Sequence, residues 1–214
     1  MSKAVMISIK PQWCELIAKK QKTIEVRKTR PKLETPFKCY IYMTKSNLTG
    51  NRKAYKDRMA GKVIGEFVCD FINEYTAEFV KGDYYEDIRQ IFDEGETIIA
   101  SNEDENLNNC FLCNKSCLTF EEIKKYIGYN FHEKPFYGWH ISDLVIYDKP
   151  KELYEFDKPC TDPYQYCQGC KHGLVQYPSD VETYEDLAGC CFDTVCLNQL
   201  QKPPQSWCYV EAKE

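Results

Sequence analysis

The stretch ISIKPQWCELIAKKQKTIEVRKTR, residues 7–30, constrains this chain more than any other. It sets a short apolar strand, a short helix and a second strand in succession. The second strand is then filled with ions: Lys22, Glu25, Arg27 and Lys28 fall within seven residues. A charge taken out of water must be paired or solvated, so an ordinary core strand is not written this way. Two readings account for it. Either the strand lines a site, or it is a solvated edge strand whose charges block pairing with other chains.

The local pattern sharpens the first reading. Ala4–Ile9 (AVMISI) reads as a buried strand, and Pro11 is placed to open a helix, where its fixed φ helps and its missing N–H costs nothing. Trp13, Leu16 and Ile17 recur at i, i+3, i+4, and Lys19–Lys20 suit the negative end of the helix dipole. In the strand that follows, alternation places Thr23, Glu25 and Arg27 on one face, so Glu25 and Arg27 can pair or act together on a ligand. Lys22 has the opposite parity and can join them only from the turn. Lys10 would stand near the mouth of the same cleft, with Lys28 beside it, and Trp13 or Trp139 would offer a ring for base stacking. An arginine fork matches phosphate, and a carboxylate accepts from an exocyclic amine.

Further along, strands are expected over residues 37–43, 63–72, 138–147 (central, being apolar on both faces) and 206–210. A helix is expected near 84–92, and another over 120–127, capped by Thr119 and ended by Gly128. The count gives an α+β fold: a mixed β-barrel of about six strands with flanking short helices, one domain over 1–214. Two insertions interrupt it, at about 73–117 (acidic, ending in CxxCxxxC) and 158–202 (Cys-rich). His140, within an apolar strand, reads as a hydrogen-bonded core residue.

Charge is divided unevenly. Residues 1–62 hold 16 Lys and Arg against 4 Asp and Glu, and the remainder holds 12 against 29. A basic segment this concentrated suits a phosphate-bearing partner; the alternative is that it docks on the acidic part. Arg52, Lys53, Lys56 and Arg58, in the long polar loop at 44–62, are candidates for a backbone clamp. No window of 18 apolar residues exists, so no membrane partner is expected, and the first residues lack the apolar run of a secretory signal. A cytoplasmic location is the expectation.

The 13 cysteines divide in the same uneven way. Cys14, Cys39 and Cys69 stand singly among apolar residues and read as small core hydrophobes. Cys167-x2-Cys170 followed by Cys190, Cys191 and Cys196 has the reach of a structural Zn²⁺ site, with His172 and Cys160 as spare ligands. Cys110, Cys113 and Cys117 offer three more thiolates that would borrow Cys160 or Cys208 to complete a second site. An iron–sulfur cluster and a redox CxxC are lesser alternatives.

The run Lys20, Lys22, Glu25, Arg27 (K-x-K-x-x-E-x-R after SIKP and a helix) resembles the ASCH domain of the PUA-like superfamily, whose signature is G-x-K-x-x-E-x-R. GWHISDLVIYDKPKEL and PPQSWCYVE resemble the closing strands of ASCH proteins common in phages and prophages. Lys20 departs from the signature glycine and implies a left-handed lysine or a different turn. The resemblance covers roughly 4–72 and 117–212. It implies a PUA-like barrel with a cleft beside the helix–strand turn that binds RNA or a modified nucleoside, and a host cytoplasm if phage-encoded. Some family members cleave RNA. Another branch removes the acyl group of N4-acetylcytidine, with a lysine and a threonine at the positions of Lys22 and Glu25; here the threonine is replaced by Glu25. The expected function is an RNA- or nucleotide-binding module. The alternatives are a hydrolase acting on RNA or a modified nucleoside, with Lys22 and Glu25 as acid and base, or a protein-interaction module built on zinc-stabilised insertions.

Overall fold

A computed structural model describes residues 2–45, 59–80, 85–92, 95–101, 110–159 and 199–213. Ten strands are found among them, in two five-stranded sheets, neither of which closes on itself. The first has the order β10-β1-β3-β4-β9: β1 is Lys3–Ile9, β3 Phe37–Met43, β4 Val63–Cys69, β9 Ser142–Lys151 and β10 Trp207–Glu211. The second has the order β2-β8-β5-β6-β7: β2 is Ile24–Arg27, β5 Ile72–Val80, β6 Tyr85–Phe92, β7 Gly95–Ser101 and β8 Phe136–His140. Helix α1 (Pro11–Ala18) joins β1 to β2, and α2 (Phe111–Ser116) and α3 (Phe120–Ile127) precede β8.

Strand β1 is buried from Ala4 to Ile9, and apolar there except at Ser8, because it lies inside its sheet between β3 (parallel) and β10 (antiparallel) with a core on each face. Its alternate residues enter different cores. Val5, Ile7 and Ile9 meet Cys39, Ile41, Phe67 and Trp139 in one, while Ala4 and Met6 meet Tyr40, Phe156 and Val210 in the other. A third core, with Ile24 and Val26 of β2, lies against α2 and α3. Gly138 lets β8 lie close to β2; a Cβ there would meet the Tyr75 ring at 2.8 Å and Ile24 at 2.9 Å.

Three sequence expectations need correction. The barrel of about six strands is replaced by ten strands in two open sheets. The helix near 84–92 is β6. Its apolar spacing fits a helical period, but pairing with β5 and β7 satisfies the backbone, and Arg89 reaches Glu78 (3.2 Å) and Glu96 (2.5 Å) on those neighbours. The single strands expected at 63–72 and 138–147 are each two, because the chain crosses between sheets at Asp70–Phe71 and again at Ile141. The crossings are fastened together. The His140 N–H donates to the Phe71 carbonyl (3.1 Å), and His140 Nδ1 lies 2.6 Å from Asp70 Oδ1 with its ring stacked on Phe71. His140 is thus hydrogen-bonded as expected, but it stands half-buried at the crossing and is not a core residue.

Candidate functional site

Helix α1 ends in a Schellman motif. The Lys20 N–H donates to the Ile17 carbonyl (2.8 Å) and the Gln21 N–H to the Leu16 carbonyl (2.9 Å). Lys20 holds φ +58, the left-handed conformation that glycine adopts without strain. This reversal delivers Lys22 from the turn, ahead of the regular pairing of β2, onto the face that carries Glu25 and Arg27. The parity difficulty is resolved in the way the sequence required.

The three charges form one buried chain. Lys22 Nζ lies 3.2 Å from Glu25 Oε2, and Glu25 Oε1 lies 3.0 Å from Arg27 Nη2. Lys22 is 2% exposed, Glu25 7% and Arg27 6%, so none of them is a solvated edge residue. Backbone oxygens complete the set: Lys22 Nζ donates to the Ser116 carbonyl (2.7 Å), and Arg27 Nη2 to the Ser8 carbonyl (2.7 Å). Arg27 Nη1 also donates to Ser206 Oγ (3.2 Å). Two polar atoms remain without an aligned hydrogen bond, Glu25 Oε2 and Arg27 Nε. Glu25 Oε2 keeps the ammonium of Lys22 as a close ionic neighbour but has acceptor capacity to spare. Buried polar groups are seldom left so.

These residues floor an open cleft of about 640 Å³, within the range of ligand sites. Its lining includes four cations, Lys10, Lys22, Arg27 and Lys125, against two carboxylates, Glu25 and Glu122. Glu122 is held by the Thr119 capping box of α3, its Oε2 accepting from the Thr119 N–H at 2.9 Å. The cleft therefore has a surplus of positive charge. Trp13, half-buried, offers its ring face to Lys22 Nζ at 5.5 Å, and Lys28 lies over the Tyr126 ring at 5.5 Å. Burial pushes the Tyr126 phenol up, with Arg27 opposing.

Of the expected ligand-binding residues, Lys10, Trp13, Lys22, Glu25 and Arg27 line the cleft, and Lys28 stands beside it on Tyr126. Trp139 is a correction. It is fully buried between the sheets, edge-on to Phe37 (6.0 Å) and beside Trp207 (5.9 Å), and presents no face to a ligand. Its apolar strand context was a core signal. Tyr126, Lys125, Ser8 and Ser206 were missed. For α3 the signal existed: with Phe120, Ile123 and Ile127 buried, the spacing turns Glu122, Lys125 and Tyr126 toward another face.

Cys14, Cys39 and Cys69 are buried core residues, and burial, with Asp70 adding to it, pushes the Cys69 thiol up to about 12. Among the described residues no group of three or more ligating side chains is gathered at a metal-binding distance. Cys110 and Cys113 do meet, but Cys110 caps α2, and Cys117 takes the left-handed position that ends it. Cys160, Cys167, Cys170, Cys190, Cys191, Cys196 and His172 lie outside the described residues, as do Arg52, Lys53, Lys56 and Arg58. No helix among the described residues is long and apolar enough to cross a membrane.

No protein-family model matches the chain and no curated protein matches it. Among solved structures it is similar to the crystal structure of an ASCH protein from Zymomonas mobilis, at 15% identity and a TM-score of 0.43, over 70% of this chain and 73% of that one. A mutant of the same protein gives 15% identity and a TM-score of 0.41, over 71% and 77%.

Proposed function

We propose that the cleft binds RNA, or a nucleotide or nucleoside derived from it. The observation that carries this reading is the buried Lys22–Glu25–Arg27 chain at the floor of an open, net-positive cleft flanked by Trp13 and Tyr126. Lys10, Lys28 and Lys125 suit phosphates at the rim, where solvated cations attract a polyanion cheaply. A base can stack on Trp13 or Tyr126. The spare acceptor on Glu25 Oε2 suits an exocyclic amine. The motif's resemblance to ASCH domains points the same way.

The test is fluorescence anisotropy of a labelled single-stranded RNA at several salt concentrations. Each rim lysine that neutralises a phosphate steepens the dependence of log K on log salt by about 0.7. Lys10→Gln and Lys125→Gln should each flatten the slope by about that amount. Binding that ignores both substitutions would place the RNA elsewhere.

A second reading, hydrolysis of RNA or of an acylated nucleoside, draws on the 3.2 Å contact between Lys22 Nζ and Glu25 Oε2, an acid and a base side by side. Release of cytidine from N4-acetylcytidine, lost in Lys22→Met, would support it. Unchanged substrate after long incubation with the intact protein would leave the binding reading alone. For the cysteine-rich part, a structural Zn²⁺ held among Cys167, Cys170, Cys190, Cys191 and Cys196 is proposed from the spacing. Metal analysis of protein purified without chelator should find about one zinc per chain.

A further inference from the structure

The amide nitrogen of Cys113 donates to Cys110 Sγ at 3.0 Å, and both residues are 6% exposed. Both are free thiols, and both belong to the core that packs α2 against β2. Residues three apart at the start of a helix lie within the Cα separation of about 4.4–6.8 Å that a disulfide requires. With two free thiols three residues apart, attack on an external disulfide and resolution of the mixed disulfide divide between two sulfurs.

The short helix that carries them is tied to the ionic cleft at its other end. The Ser116 carbonyl accepts from Lys22 Nζ at 2.7 Å, and the Lys115 carbonyl accepts from the Thr23 N–H at 2.8 Å. Ser116 is wholly buried, and its hydroxyl bonds back to the Cys113 carbonyl at 3.5 Å. Helix α2 is six residues long. It has no spare turn to absorb a change at Cys113 before Ser116 feels it.

We propose that Cys110 and Cys113 are a reversible dithiol–disulfide pair whose oxidation shifts the Ser116 carbonyl and so resets Lys22 in the cleft. This concerns regulation of the site under Proposed function and rests on that reading for its effect on RNA. The oxidant is a small-molecule disulfide such as oxidised glutathione. Cys110 Sγ attacks one of its sulfurs and releases one glutathione thiol. Cys113 Sγ then attacks Cys110 Sγ in the mixed disulfide and releases the second. Two protein thiols and one disulfide become one protein disulfide and two thiols, and no other electron acceptor is needed.

The experiment equilibrates the full chain in glutathione buffers of defined ratio, quenches with acid, alkylates, and maps disulfides by peptide mass spectrometry. Amide exchange of Thr23 and affinity for a single-stranded RNA are read on the same samples. The expected result is a Cys110–Cys113 disulfide that reverts on reduction, with faster exchange at Thr23 and RNA binding weakened about fivefold or more. Cys110→Ser abolishes all three responses; serine is a favourable N-cap, so this variant should fold at least as well. Cys117→Ser leaves them intact.

Thiols that stay reduced, thiols protected until a chelator is added, or a disulfide that leaves Thr23 exchange unchanged would each overturn the proposal. If the disulfide and the exchange response appear but neither redox form binds RNA, the switch stands and the RNA reading fails.

Discussion

Glu25 is the residue on which the ionic cleft depends, and Glu25→Gln removes its charge while keeping its shape. The carboxylate lies 3.2 Å from Lys22 Nζ and 3.0 Å from Arg27 Nη2, and all three residues are under 10% exposed. At an effective dielectric constant of about 20, each contact is worth roughly 5 kcal/mol before desolvation is charged against it. What matters is the state left behind. The amide leaves two buried cations with no anion between them, and breaking a buried ionic group in this way costs about 3–5 kcal/mol.

Lys22→Met should cost less, about 1–3 kcal/mol, because Glu25 keeps Arg27 and the main loss is the charged hydrogen bond to the Ser116 carbonyl. The double variant leaves Arg27 alone with the Ser8 carbonyl and Ser206, so it should be more stable than the sum of the single losses by about 1–3 kcal/mol. Urea unfolding followed by far-ultraviolet circular dichroism reads all of these, provided the slopes agree. A Glu25→Gln loss below about 1 kcal/mol, or single effects that simply add, would refute the claim that the three charges form one interdependent group.

Lys20→Gly should stabilise the protein by about 0.5–1 kcal/mol, since lysine holds a left-handed φ of +58 inside an otherwise complete Schellman motif; a rise in urea midpoint checks it. Trp13→Leu should weaken single-stranded RNA binding by about 1–3 kcal/mol with little change in the salt slope, because stacking and not charge is removed. Glu66 gives an acid-side prediction. Burial pushes its carboxyl up, but the Tyr147 hydroxyl (2.5 Å), Lys38 and Lys151 outweigh burial and hold it below the usual range. A carboxyl lowered in the folded state stabilises above its unfolded pKa, about 4.3, and loses that contribution as pH falls through the folded value. Stability differences between the protein and Tyr147→Phe, measured by urea unfolding from pH 7 to pH 3, should therefore shrink at the acid end.

The site was more legible than the fold around it. Period-2 alternation paired Glu25 with Arg27, and the odd parity of Lys22 correctly assigned it to the turn, because both arguments depend only on local backbone geometry. Pro11, Thr119 and Gly128 marked helix ends for the same reason. The failures are non-local. Residues 85–92 carry an apolar period that suits a helix, and only their neighbours β5 and β7 make them a strand. The crossings at Asp70–Phe71 and Ile141 read as continuous strands because apolar residues resume on each side, and Asp70 and the Ser142–Asp143 pair are the marks that were passed over. Trp139 was expected as a ring for base stacking, yet its place between the sheets depends on Phe37 and Trp207, far from it in sequence. Ser116 is the clearest case of what a motif cannot reveal. It lies 94 residues from Lys22 and contributes a carbonyl oxygen, which any residue could supply.

The central claim is that the Lys22–Glu25–Arg27 cleft is where RNA lies, and ultraviolet cross-linking of a single-stranded RNA followed by peptide mass spectrometry tests it most directly. The account predicts cross-links on Trp13 and Tyr126, with those yields falling in Lys22→Met. Cross-links confined to the opposite end of the first sheet, around Phe37 and Lys213, or yields on Trp13 and Tyr126 indifferent to Lys22, would contradict it.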